Sequence, residues 1–323
     1  MEFKKKVVID CDPGIDDCFA LLLCICHLDV QGIVAVGGNT GLRYTERNAR
    51  YITELTGRTD IPVYAGYDMP MLNKIVRATE IHGSGGIGTV VIGEPKKHLE
   101  KQHGVDFLID TFMNHDDISL ITLGPLTNVA QALLKEPRLK ERIPEILCMG
   151  GSAFCGNATP TAEFNILVDP EAAKIVFESG IPIQMVGLNL TRQNLMCAAD
   201  VERLKEIGGP VGSFAAELLG FSVGNSMTPN LCDAAAVSWW TGSGVITKSM
   251  KVHVDVETKG EFTRGMTVCD WRNYMGSDPL QEISREKCDN RAELPKNVEV
   301  AMEFDREQFR KLLFETIEWY KEQ

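Results

Sequence analysis

The sequence lacks several features that define common protein classes. Its ten cysteines include no Cys-x-x-Cys pair of the kind that binds zinc. No apolar run approaches the roughly 20 residues needed to cross a bilayer. No internal repeat, low-complexity tract or Pro/Ser-rich linker interrupts the chain. These absences argue against a zinc module, a membrane protein and a repeat protein, and the simplest interpretation is a single domain over residues 1–323.

Positive charge is also in short supply. The chain carries 33 Lys and Arg against 45 Asp and Glu, a net charge of −12. Because an acidic surface repels phosphate backbones, nucleic acid is not an expected partner, and an uncharged substrate fits more easily than an anionic one. Only three apolar residues separate the lysines at 4–6 from Asp10, which is too short for a signal peptide. We therefore expect a reduced, cytoplasmic protein.

Apolar strand-like runs alternate with helical segments along most of the chain. A short β-rich run over 6–10 is followed by a helical apolar face over 16–27, then by a second strand over 32–37 and a second helix over 45–56. Later strands are predicted over residues 118–123, 145–149, 183–186 and 298–304. This rhythm predicts an α/β fold, an open, mostly parallel twisted sheet with helices on both faces.

Two parts of the chain depart from this rhythm. Valines alternate with polar residues over 252–256, which predicts a half-exposed strand. We expect it to be one arm of a small β-hairpin extension that turns at Lys259-Gly260. Residues 66–104 and 188–230 show the least regular pattern, and long irregular segments in compact α/β enzymes are often active-site lids.

Four carboxylates lie within eight residues at the end of the first predicted strand. The segment reads Asp10-Cys11-Asp12-Pro13-Gly14-Ile15-Asp16-Asp17. Ligands of open α/β sheets bind at this edge, and crowded anions need compensation because unpaired buried charge is costly. The helix N-terminus supplies part of it, and a hard divalent cation with oxygen ligands best supplies the rest. A solvated loop that merely caps a helix suits one or two Asp better than four.

This segment resembles the N-terminal fingerprint of the inosine–uridine-type nucleoside hydrolases, DxDPGxDD. The resemblance extends from residue 7 to about residue 240, through segments that follow in the family's order: Val36-Gly37-Gly38-Asn39-Thr40, Ile81-His82-Gly83, Leu123-Gly124-Pro125-Leu126-Thr127-Asn128, Met149-Gly150-Gly151, Gly156-Asn157, Ala162-Glu163-Phe164-Asn165, Asp169-Pro170-Glu171-Ala172-Ala173 and Cys232-Asp233-Ala234. It implies the nucleoside hydrolase fold and Ca²⁺-dependent hydrolysis of a ribonucleoside to ribose and free base, in salvage or catabolism. It also implies a homodimer or homotetramer.

Carried over residue by residue, the resemblance implies a metal site. Asp12 would hold Ca²⁺ and also act as the general base that takes a proton from the attacking water. Asp17 and Asp233 would be further ligands, and Leu123 would contribute its backbone carbonyl. Waters and ribose hydroxyls would complete the six to eight oxygens that calcium prefers. Asp10 is expected to support the loop without touching the metal.

The resemblance also implies a set of substrate-binding residues. Asp16 and Asn165 would contact the ribose 2′ and 3′ hydroxyls, and Asn157 with Glu163 the 5′ hydroxyl. The remaining members of the implied set are Asn39, His82, Met149, Phe164 and Asp233. Because glycosidic cleavage passes through an oxocarbenium-like sugar, an acidic floor beneath the ribose stabilises the charge that develops.

The sequence departs from the family pattern where the leaving base would be activated. Many relatives carry His or Trp directly before the late metal-binding Asp, and this chain has Cys232. A thiol with a pKa of about 8.5 is a weak donor, so we interpret Cys232 as filling space. His82 is the remaining candidate to donate to the base, with a solvated loop histidine as the alternative. Trp239 and Trp240 are interpreted as core residues.

Two other functions stay open at this point. A haloacid-dehalogenase-type phosphatase also begins with DxD after a strand, but it needs Thr or Val where this chain has Gly14. A non-catalytic nucleoside- or ribose-binding protein on the same fold agrees with the unusual Cys232. Ribose release separates the enzyme from the binding protein. Base preference is not assignable, because the residues that read the base lie in the irregular segments.

Overall fold

The computed structural model describes residues 4–72, 74–225, 229–272 and 294–323. Its strands are β1 (Lys6–Cys11), β2 (Asp29–Ala35), β3 (Val63–Ala65), β4 (Ile118–Thr122), β5 (Ile146–Met149), β6 (Ile183–Val186), β7 (Ile246–Val252), β8 (Val254–Val256), β9 (Thr267–Cys269) and β10 (Val298–Phe304). Eight of them form a sheet in the order β3-β2-β1-β4-β5-β6-β10-β7. Among these described strands, only the β10–β7 pair of the sheet is antiparallel. The predicted open, mostly parallel sheet is confirmed.

Helices connect the strands of the described chain. They are α1 (Ile15–His27), α2 (Leu42–Leu55), α3 (Thr79–His82), α4 (Gly104–Asn114), α5 (Thr127–Lys135), α6 (Phe164–Val168), α7 (Pro170–Phe177), α8 (Leu188–Thr191), α9 (Ala198–Ile207), α10 (Gly209–Asn225), α11 (Cys232–Val237) and α12 (Arg306–Lys321). Within the part of the chain that the structure describes, no helix combines the length and apolarity required to cross a membrane.

The apolar side chains of the sheet pack into two separate hydrophobic cores. Successive strand residues point to opposite faces, so Val7 and Ile9 pack with Phe19 of α1 in one core. Val8 packs with Phe112 of α4 in the other core. Helices therefore cover both faces of the sheet, which explains why the predicted strands are continuous apolar runs.

The order of strands places a crevice beside β1. From β1 the sheet continues through β2 and β3 on one side and through β4, β5 and β6 on the other. Connections that leave the carboxyl ends of β1 and β4 therefore cross to opposite sides of the sheet, and ligands of open α/β sheets bind at such a switch point. The acidic segment at 10–17 begins in the last two residues of β1 at this point and continues into α1.

The predicted small hairpin extension is confirmed, because β8 and β9 pair antiparallel in a separate two-stranded sheet. Its first arm is shorter than predicted and begins at Val254 rather than at Val252. Val252 is the last residue of β7, which pairs with β10 in the main sheet, and the chain breaks between β7 and β8 at His253. The side chain of Asn297 bonds both backbone groups of Val254 and holds this break. The predicted turn is present, because Glu257 Oε1 accepts from the backbone N–H groups of Lys259 and Gly260.

The prediction that residues 188–230 have little regular structure is wrong. This segment contains α8, α9 and α10, and α10 runs from Gly209 to Asn225. Residues 66–104, in contrast, contain only the four-residue helix α3 among their described positions before α4 begins. Both segments contribute residues to the cavity described next.

Candidate active site

A tight turn after β1 presents the acidic residues. The chain turns at Pro13-Gly14, and the backbone N–H of Gly14 donates to Asp17 Oδ2 at 3.0 Å. A Cβ on Gly14 would lie 2.6 Å from Nδ1 of His82 and 2.7 Å from Nδ2 of Asn39. Only glycine lets these two polar side chains pack directly on the backbone of the turn.

Three carboxylates from two helices converge next to this turn. Oxygens of Asp16, Asp17 and Asp233 lie within 4.8 Å of one another. The first two stand in the first turn of α1, and Asp233 stands in the first turn of α11, which packs against α1. Burial and the charge of Asp16 raise the pKa of Asp17 to about 7, and the same causes raise the pKa of Asp233 well above its ordinary value. The ionised forms of these carboxylates are therefore strongly destabilised in the absence of a compensating positive charge.

Asp12 is fully buried beside this cluster and is held by Asn39. The backbone N–H of Asn39 donates to Asp12 Oδ2 at 2.5 Å, and its side-chain Nδ2 donates to Asp17 Oδ2 at 3.0 Å. One residue just after β2 thus fixes the orientation of two carboxylates from the turn after β1.

One oxygen of each carboxylate is left over for a cation. The Oδ1 atoms of Asp12, Asp16, Asp17 and Asp233 are buried and have no hydrogen-bond partner among the described residues. Unpaired buried oxygens are costly, and all of them are hard donors. The donor set therefore fits a hard divalent metal ion.

The predicted backbone ligand lies at the end of β4. The carbonyl of Leu123 accepts a hydrogen bond at 2.8 Å from Nδ2 of Asn165, which also donates to the carbonyl of Met149 at 3.2 Å. Asn165 thereby joins the ends of β4 and β5. A carbonyl oxygen has two lone pairs, so the bond from Asn165 leaves Leu123 one further position.

Asp10 is separated from the cavity lining, and its partner Asn128 was not predicted. Nδ2 of Asn128 donates to Asp10 Oδ2 at 2.8 Å, while Oδ1 of Asn128 accepts from the backbone N–H of Tyr67 at 2.8 Å. Burial raises the pKa of Asp10 to about 8, and the Asn128 bond opposes the shift. Asn128 is the last residue of the Leu-Gly-Pro-Leu-Thr-Asn segment, and the family resemblance of that segment was the feature of the sequence that could have indicated its role.

A cavity of about 560 Å³ opens onto the acidic cluster. This volume falls in the range typical of small-molecule sites. Most of the residues proposed from the sequence line it: Asp16, Asn39, His82, Leu123, Met149, Asn157, Glu163, Phe164, Asn165 and Asp233. Asp12 and Asp17 are not lining residues and are fully buried next to the others.

A capped helix forms one part of the cavity wall. Glu163 caps α6, and its Oε2 accepts from the backbone N–H groups of Ile166 and Gly151 at 3.2 Å and 2.9 Å. Burial raises the pKa of Glu163 to about 7, although these bonds oppose the shift. Oδ1 of Asn157 accepts from the backbone N–H of Phe164 at 3.0 Å, which directs the donor Nδ2 elsewhere.

His82 and Cys232 line the cavity without being charged. Burial lowers the pKa of His82, opposed by the charge of Asp16, and its Nδ1 accepts from the backbone N–H of Ile15 at 3.1 Å. Burial raises the pKa of the Cys232 thiol, and the charge of Asp16 adds to the shift. Trp239 and Trp240 pack against the core, as predicted, and neither lines the cavity.

Several residues of the cavity wall were not predicted from the sequence. They are Ile15, Ala78, Ile81, Ala158, Leu188, Arg192, Ser222 and Asn230. Four of them fall in the segment 188–230, whose helices were missed. Arg192 is the only Lys or Arg among the described lining residues, and it follows Leu188 by one helical turn.

Comparisons with known proteins agree with this geometry. The model of the family described as inosine-uridine preferring nucleoside hydrolase matches residues 7–311. The inosine-uridine preferring nucleoside hydrolase of Crithidia fasciculata is 39% identical over 280 residues, covering 83% of this chain and 89% of that protein. The pyrimidine-specific ribonucleoside hydrolase RihA of Salmonella paratyphi A is 36% identical over 325 residues, covering 97% and 98%.

A solved structure shows the same similarity. The purine-preferring ribonucleoside hydrolase from Gardnerella vaginalis superposes with a TM-score of 0.84 at 28% identity, covering 98% of this chain and 99% of that chain. These relatives are named for different bases, so they agree on the bond that is cut and differ in the base released. Family membership favours an enzyme over a non-catalytic binding protein and over a phosphatase. The chain belongs to the inosine-uridine preferring nucleoside hydrolase family, whose members hydrolyse N-glycosidic bonds.

Proposed function

We propose that the protein is a Ca²⁺-dependent ribonucleoside hydrolase that releases ribose and a free nucleobase. The observation that carries the proposal is the cluster of Asp16, Asp17 and Asp233 next to a nucleoside-sized cavity. The unpartnered oxygens of this cluster are all carboxylates, and calcium accepts six to eight such oxygen ligands in flexible geometry. We therefore favour calcium over softer metals that select nitrogen or sulfur.

Asp12, Asp17, Asp233 and the carbonyl of Leu123 are the residues that would hold the ion. When bound, the cation offsets their mutual repulsion and lowers the pKa of the attacking water. Asp12 acts as the general base that takes a proton from this water. Its carboxylate is suited to this role because the Asn39 N–H fixes one oxygen and leaves the other without a partner among the described residues.

The cavity wall binds the ribose on several sides. We propose that the carboxylate of Asp16 and Oδ1 of Asn165 accept hydrogen bonds from the 2′ and 3′ hydroxyls, since Nδ2 of Asn165 already donates to two backbone carbonyls. Asn157 and Glu163 bind the 5′ hydroxyl. Positive charge develops on the sugar as the base departs, and the acidic floor attracts that charge more strongly in the transition state than in the ground state.

Departure of the base is assisted by His82 in this proposal. The neutral ring carries its proton on Nε2, because Nδ1 accepts from Ile15, and an Nε2–H group can donate to a nitrogen or oxygen of the base. Phe164 and Met149 supply apolar wall to the same cavity. Cys232 fills space, since its thiol stays protonated.

A substrate panel tests the proposal directly. Ribose release is measured with adenosine, guanosine, inosine, uridine and cytidine in the presence of Ca²⁺, for the wild type and for Asp12→Asn. We expect release from at least one nucleoside and a loss of at least about 1,000-fold in kcat for the variant, whose circular dichroism stays unchanged. The exposed Asp116→Asn is the matched control and should retain full activity. No ribose release from any nucleoside would overturn the proposal.

We further propose that the enzyme is a cytoplasmic homodimer or homotetramer and serves nucleoside salvage or catabolism. The support is the family resemblance, since relatives that match nearly the whole chain are named as nucleoside hydrolases. Light scattering coupled to size-exclusion chromatography measures the molar mass in solution. A mass equal to one 35.7 kDa chain would contradict the oligomer.

A further inference from the structure

Arg192 connects the end of α8 to the loop that carries Asn157. Its Nη2 donates to the backbone carbonyl of Gly156 at 2.7 Å, and its Nη1 lies 2.9 Å from Sγ of Cys155. The side chain is solvent-exposed at the cavity wall. A planar guanidinium has five N–H donors in a fixed fork, so it can bind two neighbouring acceptors of one loop at once.

The loop itself is a compact turn that is closed by its own hydrogen bonds. The backbone carbonyl of Ala162 accepts from the N–H groups of Asn157, Ala158 and Thr159 at 3.1, 3.2 and 3.3 Å. Oγ1 of Thr159 accepts from the N–H of Ala162 at 2.9 Å. The contacts of Arg192 therefore add an external tether to a turn whose internal hydrogen bonds are already made.

The residue next to the tethered carbonyl is the one proposed to bind the 5′ hydroxyl. Asn157 follows Gly156 directly, and its Oδ1 is occupied by the backbone N–H of Phe164. Rotation of the amide is thereby restricted, and Nδ2 is the atom left to donate to a substrate. A shift of the turn at Gly156 by about 1 Å would carry Nδ2 out of hydrogen-bond range of a ribose that the acidic cluster holds in place.

We infer that Arg192 is a positioning residue that sets the selectivity of the enzyme for nucleosides with a free 5′ hydroxyl. It acts by fixing the turn at Cys155 and Gly156 so that Nδ2 of Asn157 meets the 5′ oxygen. The inference rests on the proposed function, because it takes the 5′ hydroxyl as the partner of Asn157. According to this inference, the contact between Asn157 and the 5′ hydroxyl also depends on Arg192, which lies at the end of α8 and outside the loop.

The test compares one substrate pair across several variants. The substrate pair is uridine and 5′-deoxyuridine, or inosine and 5′-deoxyinosine if the wild type prefers purines. The quantity measured is the ratio of kcat/KM for the hydroxyl substrate to kcat/KM for its 5′-deoxy counterpart. Variants are Arg192→Ala, Arg192→Lys, Asn157→Ala and the double variant, with Arg138→Ala as a matched control because Arg138 is an exposed arginine whose bonds are to nearby Glu136.

We expect Arg192→Ala to lower this ratio about tenfold, the effect of losing one neutral hydrogen bond to the substrate, and to change kcat/KM for the deoxy substrate by about twofold or less. Arg192→Lys should resemble Arg192→Ala, since one ammonium group cannot replace the fork. The double variant should lose no more than Asn157→Ala alone, because both act on the same contact. The melting temperature reports that each variant is folded.

An equal loss against both substrates in Arg192→Ala would overturn the inference, and so would additive losses in the double variant. A ratio of the two kcat/KM values in Arg192→Ala equal to that of the wild type would overturn the inference as well. In each of these outcomes the wild type still releases ribose, so the proposed function stands. If the wild type releases no ribose from either substrate, the proposed function and this inference fail together.

Discussion

The backbone N–H of Ile15 donates a hydrogen bond to Nδ1 of His82 at 3.1 Å. Because Nδ1 is the acceptor, the neutral ring carries its proton on Nε2. Burial lowers the pKa of His82, so this neutral form prevails at pH 7. The first residue of α1 thus sets the tautomer of a cavity histidine, next to the acidic residues of the same helix.

This tautomer predicts how His82→Phe behaves, because phenylalanine has no N–H donor. Loss of the Nε2–H donor should lower kcat/KM for natural nucleosides by about 100-fold, because their bases are poor leaving groups. Hydrolysis of p-nitrophenyl riboside should change by about threefold or less, since p-nitrophenolate leaves without assistance. Steady-state kinetics on both substrates measure the contrast, and the same substitution at an exposed histidine, His98→Phe, should change neither rate. Equal losses on both substrates would remove His82 from leaving-group departure.

Cys232 is expected to tolerate replacement. Burial raises the pKa of its thiol, which therefore stays protonated and is a poor proton donor. Cys232→Ala should keep kcat/KM within about threefold of the wild type and leave the pH profile between about pH 6 and 9 unchanged. A loss of about 100-fold, or the disappearance of an ionisation from the profile, would show that the thiol takes part in the chemistry.

Close packing around Gly38 predicts that the addition of a single methyl group at this position lowers activity. A Cβ at this position would lie 2.0 Å from Oδ2 of Asp12, so Gly38→Ala must displace the proposed base. We expect kcat to fall by about 100-fold, as for a misplacement of about 1 Å. Gly93→Ala is the control, because no heavy atom of the described chain beyond its two chain neighbours lies within 4 Å of the place that its new methyl group would take. Normal kcat in Gly38→Ala would show that Asp12 need not be held where it lies.

An ion pair between α7 and the β8–β9 connection predicts a pH-dependent stability difference. Nη1 and Nη2 of Arg264 donate to the two carboxylate oxygens of Glu171 at 2.7 Å and 2.8 Å. This bond lowers the pKa of Glu171 below its ordinary value of 4.5, and burial opposes the shift. The carboxylate therefore stabilises the fold above pH 4.5, and its contribution declines as pH falls below that value.

Glu171→Gln should accordingly lower the free energy of unfolding by about 1 kcal/mol at pH 7 and by progressively less below about pH 4.5. Urea denaturation at pH 7 and at about pH 3.5 measures both differences. The exposed Glu178→Gln, which removes an i,i+4 pair with Lys174, should cost about 0.5 kcal/mol or less at pH 7. A difference for Glu171→Gln that does not shrink at low pH would contradict this electrostatic origin.

The sequence was most informative where structure and chemistry are local. Residues 6–17 contain a strand, a Pro-Gly turn and the start of a helix, so their carboxylates were predictable as a group at one edge of the sheet. Asp233 is different, because only the family resemblance connected it with that group. Its approach depends on how α11 packs against α1, which no local pattern encodes.

The errors have physical causes as well. Helix α10 contains glycines at 209, 212, 220 and 224, which lower helix propensity and obscure the apolar stripe. The helix is nevertheless formed, because its buried side chains join the larger core. In the strand region, the alternation over 252–256 was recognised, but the change of partner at His253 depends on Asn297 from a distant part of the chain. Arg192 was not predicted as a site residue because it lies in residues 188–230, whose helices were not predicted.

The most direct test concerns the cation that Asp12, Asp17 and Asp233 are proposed to share. Chelator-treated protein is titrated with Ca²⁺ by calorimetry while ribose release is followed on the same sample. We expect one ion to bind per chain, ribose release to return in step with binding, and Asp233→Asn to lose both. Full ribose release by protein shown to be metal-free, or unchanged Ca²⁺ binding in Asp233→Asn, would contradict the proposed site.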